Sequence, residues 1–141
     1  MAATIQILKD TTRETIVKLT NYGTTESAVL KVDASTLTGA DGTGNYPELS
    51  ITNAIWNCSN GTVAVIWDGA TDATALVLGG TGTLKNHGSE NISIRNNSTT
   101  PVGDILVTTQ DWGATAAYTI ILTLRKHQGF DQKGNEIGLT S

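Results

Sequence analysis

The sequence predicts an all-β fold, an antiparallel β-sandwich of about eight or nine strands in a jelly-roll or immunoglobulin-like arrangement. The chain is rich in residues that favour strands and turns, with 24 Thr and 15 Gly among its 141 residues. Charged residues make up only 16% of the chain, and the good helix formers among them are correspondingly scarce. Short segments in which apolar and polar residues alternate recur roughly every ten residues, which is typical of sandwiches and barrels.

The first three predicted strands show a period of two, the pattern of a strand with one face in the core and one in water. Ile5 and Ile7 share a face of the first strand. Ala28, Leu30 and Val32 are expected to share a face of the third. These three strands cover 3–8, 13–20 and 27–33.

A polar, glycine-containing stretch at 35–47 predicts the longest exposed loop of the chain. Two strands are predicted after it, at 49–58 and 62–67. An Asn-Gly pair lies between them, and this dipeptide is a strong signal for a two-residue turn. We therefore expect the two strands to form a β-hairpin that reverses at 59–61.

The most regular predicted strand lies near the C-terminus, at 116–126. Tyr118, Ile120, Leu122 and Leu124 occupy alternate positions there and are expected to share one face. The other strands predicted in this half cover 73–78, 91–95 and 104–109.

The totals favour a single domain, 1–141, and exclude several classes of partner. The net charge is −4 and the nine Lys and Arg are scattered, so the sequence predicts no nucleic-acid partner. We expect no secretory signal and no membrane partner, because no apolar run approaches the roughly 20 residues that span a bilayer. Cys58 is the single cysteine, which excludes an internal disulfide and predicts a buried thiol.

The sequence predicts no enzyme, with no catalytic residue, no metal ligand set and no cofactor. His87 and His127 stand far apart and, with a single Cys, lack the spacing of a zinc site. The glycine-rich stretch 79–82 lacks the Lys-Ser/Thr of a phosphate-binding loop, so we expect a plain turn. Residues 41–45 offer oxygen atoms that a cation could use, but a solvated loop is expected. A small hydrolase with two converging carboxylates remains an alternative.

Three tryptophans raise a second alternative, a carbohydrate-binding module. Trp56, Trp67 and Trp112 stand beside Asn or Asp, and an exposed indole presents a large flat apolar face on which a sugar ring can stack. We expect the three rings to lie in the core or at a subunit interface. Exposure of a coplanar pair would favour the sugar-binding alternative.

A likeness of the whole chain to a known class follows from these features. The alternating strands at 13–20 and 116–126, with turns at Asn60-Gly61 and Asp111-Trp112-Gly113, resemble those of bacteriophage virion structural proteins. In size and sandwich character the chain is similar to head decoration (cement) proteins. The resemblance implies a homo-oligomer, often a trimer, bound to the major capsid protein. It also implies synthesis in the host cytoplasm and residence in the virion. Neck, tail and fibre components share this composition and remain alternatives.

Both ends of the chain are candidate contact arms in this interpretation. The alternative is that they fold back onto their own domain. The candidate arms cover 1–8 and 127–141, and their apolar anchors for partner binding are Ile5, Ile7, Phe130, Ile137 and Leu139.

Overall fold

The fold is all-β and antiparallel, as the composition predicts. A computed structural model describes residues 2–40, 46–85, 93–127 and 129–130. These residues form eight strands and one short 3₁₀ helix at Ala34–Thr36. The strands are β1 Ala2–Asp10, β2 Glu14–Tyr22, β3 Val29–Val32, β4 Leu49–Thr71, β5 Ala73–Leu84, β6 Ile94–Arg95, β7 Thr99–Gln110 and β8 Ala117–Lys126.

All eight strands belong to one sheet that curls until it is nearly barrel-shaped. The main order is β1-β2-β8-β4-β7-β3, and β5 and β6 also pair with β4. Every pairing is antiparallel. The two terminal strands of this order, β1 and β3, face each other across a groove instead of pairing.

The long strand β4 pairs with four others, β5, β6, β7 and β8. The hairpin that the sequence predicts at 59–61 is wrong. β4 continues without reversal through Asn60, whose backbone is left-handed with a φ of 60°. The pairing register shifts between Cys58 and Val63, so the residues form a bulged bend and not a turn. The first half of β4 pairs with β8, and the second half pairs with β7. Asn-Gly pairs are common in hairpins because both residues tolerate a left-handed backbone. Here that tolerance allows one long strand to bend at Asn60.

The glycine-rich stretch 79–82 is also strand and not the plain turn that the sequence predicts. It lies within β5, which accompanies β4 along both of its halves. The ring of Trp56 covers Gly82, where an added Cβ would come within 2.4 Å of the indole. Glycine here admits a large aromatic ring across the strand pair. The hairpin of this region forms instead between β4 and β5, around Asp72.

One hydrophobic cluster fills the interior, with contributions from both halves of β4. Residues of β2, β4, β7 and β8 supply most of it. The prediction for 116–126 is confirmed, since Tyr118, Ile120, Leu122 and Leu124 are all buried. The expected burial of Cys58 is also confirmed.

The alternation predicted for 27–33 fails in β3. Leu30 is 45% exposed, whereas Lys31 and Val32 are both buried. The register against β7 shifts between Leu30 and Val32. A buried carboxylate, Glu26, pairs with the Lys31 ammonium and draws that side chain inward. The period of two is broken because Lys31 points inward, towards a carboxylate that lies outside the strand.

Three other expectations are confirmed only in part. The stretch 35–47 is not wholly exposed, because Leu37 is buried in the core, while 41–45 lie outside the described residues. The strand predicted at 104–109 begins earlier, at Thr99, because Gly69 and Thr71 extend the pairing of β4 with β7. Only Ile94–Arg95 of the strand predicted at 91–95 is described as strand.

Candidate subunit-contact site

An apolar groove lies between β1 and β3. Its cavity volume is about 240 Å³. We call it the β1–β3 groove. Its walls are Ile5, Ile7 and Val17 on one side and residues of β3 and the following 3₁₀ segment on the other: Leu30, Lys31, Val32, Asp33, Thr36 and Leu37.

β1 supplies the more exposed wall because it is an edge strand. In the described part of the chain it pairs with β2 along one edge only. Ile5 lies opposite the buried Leu19, and Ile7 opposite the buried Val17, so both isoleucines face the core side of the sheet. They are nevertheless 48% and 52% exposed. The face of the sheet that is buried at Val17 and Leu19 is therefore left half exposed by the described residues at Ile5 and Ile7.

A long apolar edge strand is an unusual feature for a chain that acts alone. Proteins commonly protect such edges with charges, prolines or covering elements, because the unpaired backbone groups attract other strands. In β1 the central residues Ile5, Gln6 and Ile7 carry no charge. The charged residues Lys9 and Asp10 stand at its end and are engaged within the chain. Among the described residues, no strand pairs with the far edge of β1 at Ile5, Gln6 and Ile7.

A buried ion pair fixes the β3 wall. The ammonium of Lys31 contacts the carboxylate of Glu26, and both side chains are only 3% exposed. Glu26 Oε1 also accepts hydrogen bonds from Tyr118 Oη at 2.7 Å and from Asn21 Nδ2 at 2.8 Å. Burial and the neighbouring Glu26 carboxylate raise the pKa of Tyr118, so its hydroxyl remains a donor. This network links the segment before β3 to β8, through the hydrogen bond between Tyr118 and Glu26.

A second buried cation fixes the far end of the groove. Lys126 Nζ donates to Asp10 Oδ1 at 2.6 Å and to the carbonyl oxygens of Thr11 and Thr38 at 2.5 and 2.6 Å. Burial opposes ionisation of Asp10, but hydrogen bonds from Lys126 and Thr38 outweigh it and hold the pKa of that carboxyl below its ordinary value. The end of β1 is thereby tied to the segment that follows β3.

Of the five anchors predicted from the sequence, the structure brings Ile5 and Ile7 together in the groove. Phe130 is buried against its own chain, where it bridges to Ala40 and lies 5.1 Å from Lys126 Nζ. It is thus placed as the fold-back alternative expects. Ile137 and Leu139 lie outside the described residues. The first candidate arm is strand from Ala2 onward.

The opposite wall was missed by sequence reasoning. Leu30 and Leu37 belong to segments that were expected to be an ordinary strand and an exposed loop. Their proximity to β1 depends on the curl of the sheet, which no local pattern in the sequence records.

The tryptophans lie mainly against their own chain. Trp67 is wholly buried, and its Nε1 has no hydrogen-bond partner among the described residues. Trp56 and Trp112 are partly buried and pack against the core. The Trp112 ring covers Gly61 and lies 5.7 Å from the ring of Tyr118. For the sugar-binding alternative, Trp56 and Trp112 are therefore the two candidate indoles, and each ring lies against a glycine.

One contact between a serine and a histidine also escaped the sequence analysis. Ser50 Oγ lies 2.8 Å from His127 Nε2. Ser50 is fully buried, and burial, reinforced by Arg95, lowers the pKa of His127. The nearby carboxylate of Glu48 binds Arg95 at 2.6 Å. A nucleophilic serine must reach its substrate, so the burial of Ser50 favours a structural role for this pair.

Other functional classes receive no positive signal from the described residues. These residues contain no group of three or more His, Cys, Asp or Glu side chains placed to hold a metal ion. None of them forms a helix long and apolar enough to cross a membrane. Comparison with family models, curated proteins and solved structures gave no match. The β1–β3 groove is therefore the feature from which we infer a function.

Proposed function

We propose that this chain is a non-enzymatic virion structural protein, a capsid decoration subunit that stabilises the shell through subunit contacts. The observation that carries the proposal is the open β1–β3 groove with its exposed Ile5 and Ile7. An apolar segment of a neighbouring subunit would fill the groove and could pair with the free edge of β1. The class of virion protein rests on the resemblance described above.

The groove offers enough apolar surface for a useful but modest contact. Ile5, Ile7 and Leu30 are each about half exposed. Since full burial of such a side chain contributes about 1.5–3 kcal/mol, covering the remaining halves contributes roughly 3 kcal/mol in total. A single contact of that size is weak. Repeated on a symmetric shell, and made only with the assembled form, it shifts the equilibrium towards assembly.

The sandwich interpretation of the fold belongs to the same proposal. We propose that the bend at Asn60 separates two layers, one with β8 beside the first half of β4 and one with β7 beside the second half. In its support, both halves of β4 contribute buried residues to one cluster. The groove is then the open side of the sandwich, opposite the bent strand pair β4–β5.

Binding to shells tests the proposal. The shells are capsids assembled from the major capsid protein of the same genome in the absence of this chain. We expect the purified chain to co-sediment with them and to raise their disruption temperature. A chain that neither binds the capsids nor changes that temperature would remove the decoration function. Binding to isolated tails instead of capsids would replace it with the neck, tail or fibre alternative.

A matched pair of variants assigns binding to the groove. Ile7→Lys places a charge in the groove, and Val77→Lys places the same charge at a side chain that is 70% exposed and is not part of the groove. We expect Ile7→Lys to abolish co-sedimentation and Val77→Lys to leave it unchanged. Equal binding by both variants would show that the groove is not the contact surface.

A further inference from the structure

We infer that the β1–β3 groove binds an extended, basic segment of a different protein of the shell, with a lysine or arginine of that segment beside Asp33. Alternate aliphatic side chains of the segment pack against Ile5 and Ile7. The inference rests on the proposed function, because it states the chemistry of the partner at the same contact site. Three observations support it: the apolar lining of the groove, the charge of its wall and the charge of the rest of the chain.

The apolar part of the groove fits the alternate side chains of a strand. Ile5 and Ile7 stand two positions apart in β1 and are about half exposed, and Leu30 on the facing wall is 45% exposed. The far edge of β1 pairs with none of the other strands that the structure describes. A strand that pairs there places every second side chain on the face of Ile5 and Ile7. The partner segment therefore has aliphatic residues two positions apart.

The charges of the groove wall leave one carboxylate without a cation. Lys31 and Asp33 are the two charged residues among those that line the groove. The Lys31 ammonium pairs with the buried carboxylate of Glu26. Asp33 is half-buried and accepts hydrogen bonds from Ser35 N at 3.1 Å and Ser35 Oγ at 2.6 Å, but it takes no part in the four ion pairs of the described residues. The wall therefore has a net negative charge at Asp33.

Two further aspartates extend this negative charge beyond the groove. Asp104 Oδ1 accepts a hydrogen bond from Ala34 N at 2.9 Å, so its carboxylate lies beside the segment that contains Asp33. Burial raises the pKa of Asp104, and the charges of Asp33 and Asp68 raise it further against the opposing hydrogen bond from Ala34. Neither Asp104 nor Asp68 belongs to an ion pair in the described part of the chain. A cationic side chain at Asp33 would reduce the repulsion among these carboxylates.

The charge of the chain favours a different protein over a second copy as the partner. The chain has 13 acidic residues against nine basic ones, so a second copy brings the same excess of negative charge. The sequence that follows Phe130 has two acidic residues and one basic residue, so it does not supply the basic segment that Asp33 favours. Charge complementarity therefore selects a partner that is basic where this chain is acidic.

Titration of the isotope-labelled full chain with three blocked peptides, followed by NMR, tests the inference. The basic peptide is Thr-Ile-Thr-Ile-Thr-Lys-Lys, the acidic control has Glu in place of both Lys, and the polar control has Ser in place of both Ile. We expect millimolar binding of the basic peptide, about fivefold tighter than either control, with shifted amide signals in β1 and at 30–33. Equal binding of the acidic control overturns the inference. So do shifted signals confined to other surfaces.

A matched pair of variants assigns the preference for a basic partner to Asp33. Asp33→Asn removes the charge but keeps an oxygen that can accept from Ser35, and Asn caps a helix as well as Asp does. Asp111→Asn removes the same charge at an exposed bend that does not line the groove. We expect Asp33→Asn to bind the basic peptide about three- to fivefold more weakly, and Asp111→Asn to bind it as the unaltered chain does. Equal weakening by both variants would mean a general attraction to an acidic protein and overturns the inference.

The inference and the proposed function can fail separately. If the chain binds capsids but does not prefer the basic peptide, the decoration function stands and the basic partner is wrong. If the basic peptide binds with the expected preference and capsids do not bind, the partner chemistry stands and the shell is the wrong source of it. Failure of all three peptides to bind at millimolar concentration overturns the inference, and an oligomeric mass of the full chain would then assign the groove to a second copy.

Discussion

Removing the charge of Glu26 should destabilise the chain far more than removing the charge of an exposed glutamate. The change Glu26→Gln preserves the shape of the side chain and an oxygen that can accept from Tyr118 and Asn21. What it removes is the partner of Lys31, whose side chain is almost wholly buried. The substitution therefore leaves an ammonium without a counter-charge beside the groove wall.

The magnitude follows from the burial of both partners. Breaking a buried ion pair by removing one member costs about 3–5 kcal/mol, because the remaining charge stays desolvated. The matched control is Glu14→Gln, whose partner Lys9 is half exposed, and there we expect less than about 1 kcal/mol. The double variant Glu26→Gln/Lys31→Met removes both charges and should recover most of the loss.

Urea unfolding at 25 °C and pH 7 measures these differences. With a slope of about 2 kcal/mol per molar urea, Glu26→Gln should lower the unfolding midpoint by roughly 1.5–2.5 M, and Glu14→Gln by less than about 0.5 M. A Glu26→Gln midpoint as high as that of Glu14→Gln would refute the reasoning. So would a double variant that is no more stable than the single one.

Three further outcomes follow from the same structure. The pKa of Asp10 is lower in the folded chain than in the unfolded chain, where it is about 3.9. Asp10 therefore contributes stability above that value, and the contribution is lost as the pH falls through the folded pKa. In Asp10→Asn the free energy of unfolding should therefore fall less steeply as the pH is lowered through this range. An added Cβ at Gly61 would come within 2.5 Å of the Trp112 ring, so Gly61→Ala should lower the free energy of unfolding by about 1–3 kcal/mol in thermal or urea unfolding. Gly113 has open space around it, so the control Gly113→Ala should change that free energy by less than about 0.5 kcal/mol. Burial raises the pKa of Cys58, so a thiol reagent should label it slowly in the native chain and rapidly in urea, and equal rates would contradict its burial.

The parts of the fold that the sequence predicts are those that local pattern determines. In β8, alternate residues face the core because the strand lies in the middle of the sheet, with β2 and β4 on its two sides. The pattern fails where a distant group decides the outcome. Lys31 turns inward because Glu26 lies beside it, and Asn60 bends a strand because β7 and β8 pair with its two halves in succession.

The candidate site could be predicted by half. Ile5 and Ile7 are alternating apolar residues in a strand at one end of the chain, and on that ground the sequence analysis names them as anchors. Leu30 and Leu37 could not be named, because they meet β1 only after the sheet has curled. Phe130 was an apolar residue near a chain end, and its burial depends on the cation of Lys126 and on the bridge to Ala40.

Hydrogen exchange of the β1 amides, measured in the free chain and on the assembled shell, tests the central claim most directly. If the β1–β3 groove is the surface that contacts other subunits, amides around Gln6 exchange much more slowly on the shell, while those around Val77 on the outer face are unchanged. Protection around Val77, with β1 exchanging as fast on the shell as in the free chain, would contradict it.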